Sequence, residues 1–213
     1  MADPPATPLD DEAVDVAATA TTYVENAPDL VAKYLDFSLF ERHGDAFYDG
    51  LPDPQDRPPR VLDVGCGPGA DTAPMTDAGL DVVGLDLTPA FIQEAREQSP
   101  AARFVRGDMR ALPLETASFE GLWSSAAFLH LPRSAAVPTL REFHRALAAD
   151  GALLLSVMAS ETRDADAVEV PDGRRFTFWH ESAVRDRLHE AGFAAVRALG
   201  GDADWHVLLA IRD

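Results

Sequence analysis

Val61-Leu62-Asp63-Val64-Gly65-Cys66-Gly67-Pro68-Gly69 decides the reading of this chain. Val61, Leu62 and Val64, β-branched or aliphatic, around one acid make a short buried strand. The glycines that follow break it and let the backbone turn tightly, close to a ligand. A helix is expected next, over 70–78. Its Pro74 costs one backbone bond or moves the start forward, and Gly79 ends it. The glycine spacing is Gly-x-Gly-x-Gly. Nicotinamide and flavin loops place the third glycine one position later, and a phosphate loop needs a lysine that this stretch lacks.

Working outward, strand and helix alternate. Strands are expected at 80–85, closing at Asp86, then at 102–105, 119–124 and 152–158, with Gly151 turning the chain into the last of these. Helices fall at 89–98, where Thr88-Pro89 is an N-cap and N1 pair, and from near Val137-Pro138. Residues 174–180 alternate in strand fashion. A helix over 181–190 ends at Gly192, and strands at 193–199 and 205–211 are too close for a crossover helix, so they form an antiparallel hairpin. The alternation predicts right-handed crossovers and a mostly parallel α/β sheet. Upstream, residues 12–27, a segment capped at Asn26 with Pro28 in its first turn, and a stretch carrying Phe37, Phe40, Phe47 and Tyr48 read as a helical head. Residues 1–11 read as a frayed lead-in, and 12–213 as one domain with 12–51 as its helical lid.

Composition narrows the classes. The chain has 213 residues, 46% of them apolar and 25% charged, which is a globular balance. Asp and Glu number 36 against 18 Lys and Arg, and Lys33 is the only lysine. A net charge of −18 opposes binding to nucleic acid. The dense carboxylates read as a solubility surface or, more sharply, as fitted to a salt-rich cytoplasm, where screening removes self-repulsion. One cysteine, Cys66, excludes an intramolecular disulfide and a cysteine-rich metal site. No secretory signal and no membrane helix is read, so a cytoplasmic location is expected.

Three acids converge on one sheet edge: Asp63 inside the first strand, Asp86 ending the second, and Asp108 ending the third. A carboxylate at Asp86 can accept both hydrogen bonds of a ribose diol. Together the acids suit a cationic, adenosine-bearing ligand and not a pyrophosphate.

VLDVGCGPG at 61–69, VVGLDLTP at 82–89, RFVRGDMRALPL at 103–114, FEGLWSSAAFLHLP at 119–132 and DGALLLSV at 150–157 together resemble class I, Rossmann-like S-adenosylmethionine-dependent methyltransferases of the small-molecule type. The resemblance implies a three-layer sandwich around a seven-stranded sheet of order 3-2-1-4-5-7-6, strand seven antiparallel. It implies S-adenosyl-L-methionine at Gly65, Cys66, Gly67 and Gly69, with Asp63 toward the methionine ammonium. It further implies Asp86 on the ribose, Leu87, Asp108 and Met109 around the adenine, and Ser124 and Ser125 near the methionine amine. Tyr23 falls in the tyrosine region that lids the cofactor.

Toward the acceptor, Phe128 and His130 follow strand four, and Tyr34 and His180 join them as substrate-side candidates, His180 against an N-cap-like position before the helix over 181–190. His130 is the candidate base, against a structural role donating to backbone. Arg174 and Arg175 either meet an anionic acceptor or balance Glu169 and Asp172. The six histidines form no metal set. The fourth block lacks the Asn/Asp-Pro-Pro-aromatic run of enzymes that methylate base amino groups, and Cys66 lies in the cofactor loop, away from cysteine-adduct chemistry. The expected reaction is methyl transfer to an oxygen or nitrogen of a small molecule. RNA or protein methylation, and a binding module without turnover, stay open.

Overall fold

The computed structural model describes residues 7–9, 16–162, 167–200 and 203–213. Ten strands and seven α-helices follow in the order β1 (Thr7–Leu9), α1 (Val16–Glu25), α2 (Ala27–Leu35), α3 (Phe40–Tyr48), β2 (Arg60–Val64), α4 (Thr72–Asp77), β3 (Asp81–Asp86) and α5 (Pro89–Gln98). Then come β4 (Arg103–Arg106), β5 (Phe119–Ser124), a 3₁₀ turn at Phe128–His130, α6 (Arg133–Ala146), β6 (Leu147–Met158), β7 (Ala167–Glu169), β8 (Arg175–Phe176), α7 (Glu181–Ala191), β9 (Phe193–Gly200) and β10 (Trp205–Arg212). The counts refer to the described residues.

The main sheet runs β4-β3-β2-β5-β6-β10-β9. Counting only its own strands, that is the order 3-2-1-4-5-7-6. β2 pairs in parallel with β3 and β5, and β10 is antiparallel to both β6 and β9. Successive side chains of a strand point to opposite faces. Leu62, Val64, Leu122, Leu208 and Ala210 therefore enter the core beneath α6 and α7. Val61, Trp123, Val207 and Leu209 enter the core beneath α3 and α4. Both faces are covered, which is why β2 reads as a nearly unbroken apolar run.

Several boundaries differ from expectation. Thr7–Leu9, inside the segment read as a frayed lead-in, pairs with Ala167–Glu169. With β8 these make a separate three-stranded antiparallel sheet. Pro8 is tolerated because β1 is an edge strand. The first helix begins at Val16, its expected first turn lying outside the described residues. Asn26 stands at the N-cap of α2, but its side chain donates back to the Thr22 carbonyl at 2.8 Å and does not cap.

Downstream, α4 starts at Thr72, so Pro74 lies in the first turn, where its missing N–H has no intrahelical partner to lose. α6 begins one turn before Val137 and carries Pro138 inside it. β6 starts at Leu147, and Asp150 at φ 61° marks an irregularity where Gly151 was expected to start the strand. Of the alternating stretch 174–180, only Arg175–Phe176 and a bridge from Trp179 to Ala159 are strand-like. Among the described residues no helix is long and apolar enough to cross a membrane.

Candidate active site

The strand order reverses at β2, and a crevice opens there beyond the carboxyl ends of the strands, where open α/β sheets bind ligands. Gly65 and Cys66 both donate their backbone N–H to the Leu85 carbonyl, at 2.7 and 3.1 Å, which fastens the loop to β3. Gly65 has φ 71°, and a Cβ there would lie 2.3 Å from the Cβ of Ala127. Gly67 has φ 53°, and a Cβ there would meet nothing within 4 Å, since it would project into the crevice.

The acids have distinct environments. Asp86 accepts from Gly67 N at 3.0 Å and Thr88 N at 2.7 Å. Burial raises its pKa and those bonds work against the rise. Asp63 is 2% exposed and accepts from the Thr72 hydroxyl at 2.6 Å. Burial, then the charges of Asp71 and Asp86, push it up to about 8. Asp108 sits at the rim. Its partial burial is outweighed by hydrogen bonds from Arg110, so its pKa is lowered. Burial, then Asp63 and Asp86, raise the Cys66 thiol well above its ordinary range.

The N-terminal helices roof the cleft. Ala27, Leu30 and Phe91 form a small core that ties α1 and α2 to α5, with Tyr23 and Tyr34 packed on it. Phe37 also faces the cleft, whereas Phe40 and Phe47 pack edge-on against Trp123 below α3. The expected aromatic head is therefore split between lid and core. His130 touches Arg175 O at 3.0 Å through Nδ1 and Tyr23 Oη at 2.9 Å through Nε2. A carbonyl can only accept, so Nδ1 carries the proton. Burial holds the ring down to about 4, so Nε2 is an acceptor for the Tyr23 hydroxyl. Tyr23 Oη lies 3.3 Å from Tyr34 Oη, which in turn accepts from Arg174. One directed chain of hydrogen bonds therefore runs from Arg174 through Tyr34, Tyr23 and His130 to the Arg175 carbonyl.

The cleft, of about 440 Å³, brings together Tyr23, Tyr34, Asp63, Gly65, Cys66 and Gly67. It also takes in Asp86, Leu87, Asp108, Met109, Ser125 and His130. Four expected residues lie elsewhere. A Cβ on Gly69 would press on the Ala95 backbone at 3.2 Å, so this glycine lets α5 pack against the loop. Ser124 is fully buried at the end of β5. Phe128 is core, packed on Phe143 and Trp179. His180 caps α7, its side chain accepting from Ser182 N at 3.2 Å.

The sequence reading passed over Asp71, Thr88, Phe91 and Lys33, all of which line the cleft. Asp71 joins three elements. It accepts from Ser38 Oγ at 2.7 Å, Phe40 N at 2.9 Å and Trp123 Nε1 at 2.9 Å. An acid two residues past the last loop glycine, at a helix start, was the available signal. Arg174, read as either balancing acids or meeting an anion, lines the cleft while paired with Asp172 at 2.7 Å. No group of three or more His, Cys, Asp or Glu able to hold a metal occurs among the described residues.

Residues 61–151 match the family described as "Methyltransferase domain". A malonyl-[acyl-carrier protein] O-methyltransferase of Enterobacter lignolyticus is 33% identical over 149 residues, 70% of this chain and 57% of that protein. A 2-methyl-6-phytyl-1,4-hydroquinone methyltransferase of Synechocystis is 29% identical over 184 residues, 84% of this chain and 52% of that one. The chain thus spans little more than half the length of these curated relatives. The solved structure of Burkholderia thailandensis 1,6-didemethyltoxoflavin-N1-methyltransferase, with bound 1,6-didemethyltoxoflavin and S-adenosylhomocysteine, superposes with a TM-score of 0.76 at 22% identity. That superposition covers 97% of this chain and 94% of the other. With the sheet order, the glycine loop and these matches in hand, the chain belongs to the class I, Rossmann-like S-adenosylmethionine-dependent methyltransferase family.

Proposed function

We propose that this protein transfers a methyl group from S-adenosylmethionine to an oxygen or nitrogen nucleophile of a small molecule. The observation that carries the reading is the pairing of Gly67 and Asp86. At Gly67 a missing Cβ leaves open space, and beside it the Asp86 carboxylate is held by the N–H groups of Gly67 and Thr88 and by the Thr88 side chain. When bound, the donor supplies a methyl group on positively charged sulfur.

The remaining roles follow from the chemistry of each side chain. Asp63 lies where an ammonium would draw off its proton and pair with the carboxylate. Leu87 and Met109 offer apolar edges to a nucleobase, and Asp108 an acceptor at the rim. Gly65, Cys66 and Ser125 supply close backbone. Ser124, Gly69 and Phe128 act from behind, by shaping the loop and strand end. Because Nε2 of His130 is already taken by Tyr23, its role is to orient that hydroxyl. A base role would require Tyr23 to swing away.

The small volume and the lid formed by α1 and α2 favour a compact acceptor. The net charge of −18 disfavours RNA. The names of the relatives extend the range to a quinol or to an acid carried on an acyl carrier. The test is incubation with methyl-labelled donor and a fractionated small-molecule extract. Label in a low-mass product supports the proposal. Donor binding with no transfer to any fraction rejects it in favour of a module without turnover.

A further inference from the structure

The cleft is electrically divided. Asp63, Asp86 and Asp108 lie at the strand ends and Asp71 at the start of α4, and its cations, Lys33 and Arg174, line it from the lid helix α2 and the turn before β8. Lys33 is the only lysine of a chain in which acids outnumber bases two to one. It has no hydrogen-bond or ion-pair partner among the described residues, although its field reaches Asp172. Arg174 is 9% exposed, and its guanidinium lies over the rings of Tyr23 and Phe176, at 5.5 and 5.4 Å. Nε and one terminal nitrogen hold Asp172, and the other terminal nitrogen holds Tyr34. It also hydrogen-bonds the Tyr23 hydroxyl, so of its five N–H groups one is left over. Asp172 pairs with Arg174, which leaves Lys33 as the unpaired cation among the residues lining the cleft.

We infer that the methyl acceptor is a carboxylate on a small, partly apolar body, held by Lys33 and Arg174 between the rings of the lid. This rests on the function proposed above and narrows it. A carboxylate is already a nucleophile, so it needs no base, which agrees with a His130 whose two nitrogens are both engaged. One carboxylate oxygen forms the new C–O bond as the C–S bond breaks. The bonding pair stays on sulfur as a neutral thioether, the two opposite charges cancel, and no proton moves. The N–H of Arg174 that is left over donates to the second oxygen and orients it.

The experiment uses the full chain saturated with S-adenosylhomocysteine. Phenylacetate and hexanoate are titrated by calorimetry against phenylacetamide and hexanamide. The acids should bind at least tenfold more tightly than their amides. Lys33→Met, at an exposed position, should erase most of that preference and leave binding of the amides and of S-adenosylhomocysteine unchanged. Arg174→Lys, which keeps charge and loses the fork, should weaken the acids about tenfold. In turnover with labelled donor and extract, mild alkali should release the label as methanol, the mark of a methyl ester. Equal binding of acids and amides, or an alkali-stable label, overturns the inference while leaving the methyltransferase reading intact. Failure of S-adenosylhomocysteine itself to bind overturns both.

Discussion

Tyr23, in the first lid helix, donates its hydroxyl to Nε2 of His130, 107 residues away on the far side of the cleft, at 2.9 Å. This bond ties the lid to the segment after β5. It also fixes the tautomer of a histidine whose pKa burial holds down to about 4. Burial raises that of Tyr23, with Tyr34 adding to the rise, so both partners stay neutral across the physiological range.

Tyr23→Phe leaves a buried acceptor on His130 without its donor. An unsatisfied buried polar group costs about 1–3 kcal/mol. Urea unfolding should show a loss of that size, together with faster amide exchange in α1 and α2. A change under about 0.5 kcal/mol would mean that the bond does not hold the lid.

The two loop glycines should fail differently. Gly65→Ala drives a Cβ to 2.3 Å from Ala127 and puts alanine at φ 71°. Overpacking of this kind costs about 1–3 kcal/mol, with backbone strain of about 1–2 kcal/mol added. Gly67→Ala carries only the strain, because its Cβ meets no protein atom. Its main effect should be loss of S-adenosylhomocysteine affinity at nearly native stability. Thermal melts and calorimetry on the two variants separate these outcomes.

Asp63 makes stability depend on pH in a stated direction. A carboxyl pushed up to about 8 binds a proton in the folded chain that the unfolded chain releases near pH 4. Stability should therefore fall as pH rises between those values. His130 acts in the opposite sense between about 4 and 6.5, since its folded form resists protonation. The clean window is pH 6.5 to 8, where only Asp63 of the two contributes. Unligated protein should lose stability across it, and Asp63→Asn should flatten the slope. An equal slope in the variant would contradict the assignment.

The acidic surface sets a salt dependence. With 36 acids against 18 bases, screening should relieve self-repulsion. The unfolding midpoint should rise from low salt to molar KCl, and a flat or falling series would rule out adaptation to a salt-rich cytoplasm.

Much of this was legible in the chain itself, for identifiable reasons. β2, β3 and α5 are bounded by Gly65, Asp86 and Thr88-Pro89, local punctuation that needs no partner. The hairpin of β9 and β10 followed from a connection too short for a crossover. The start of α6 was misread because Pro138 resembles a first-turn proline. The small sheet was invisible because Thr7–Leu9 becomes a strand only by meeting Ala167–Glu169. In the site, Asp63, Asp86 and Asp108 were readable because strand ends share an edge. Asp71 and Lys33 were not, and Arg174 was readable only as one of two alternatives. Their positions depend on how α2, α3 and the turn before β8 dock, and periodicity carries no record of that. Phe128 is assigned to the acceptor side by proximity in sequence, whereas the core takes it; for His180 the N-cap alternative holds.

The most direct measurement is titration of the folded protein, in matched KCl, with S-adenosylmethionine and S-adenosylhomocysteine, beside the Asp86→Asn variant. Both compounds should bind one to one. The variant should bind at least tenfold more weakly, in line with loss of charge-assisted hydrogen bonds worth about 1.5–3 kcal/mol. Heat-silent titrations with both compounds, with no shift in melting temperature, would contradict a nucleoside site beyond β2.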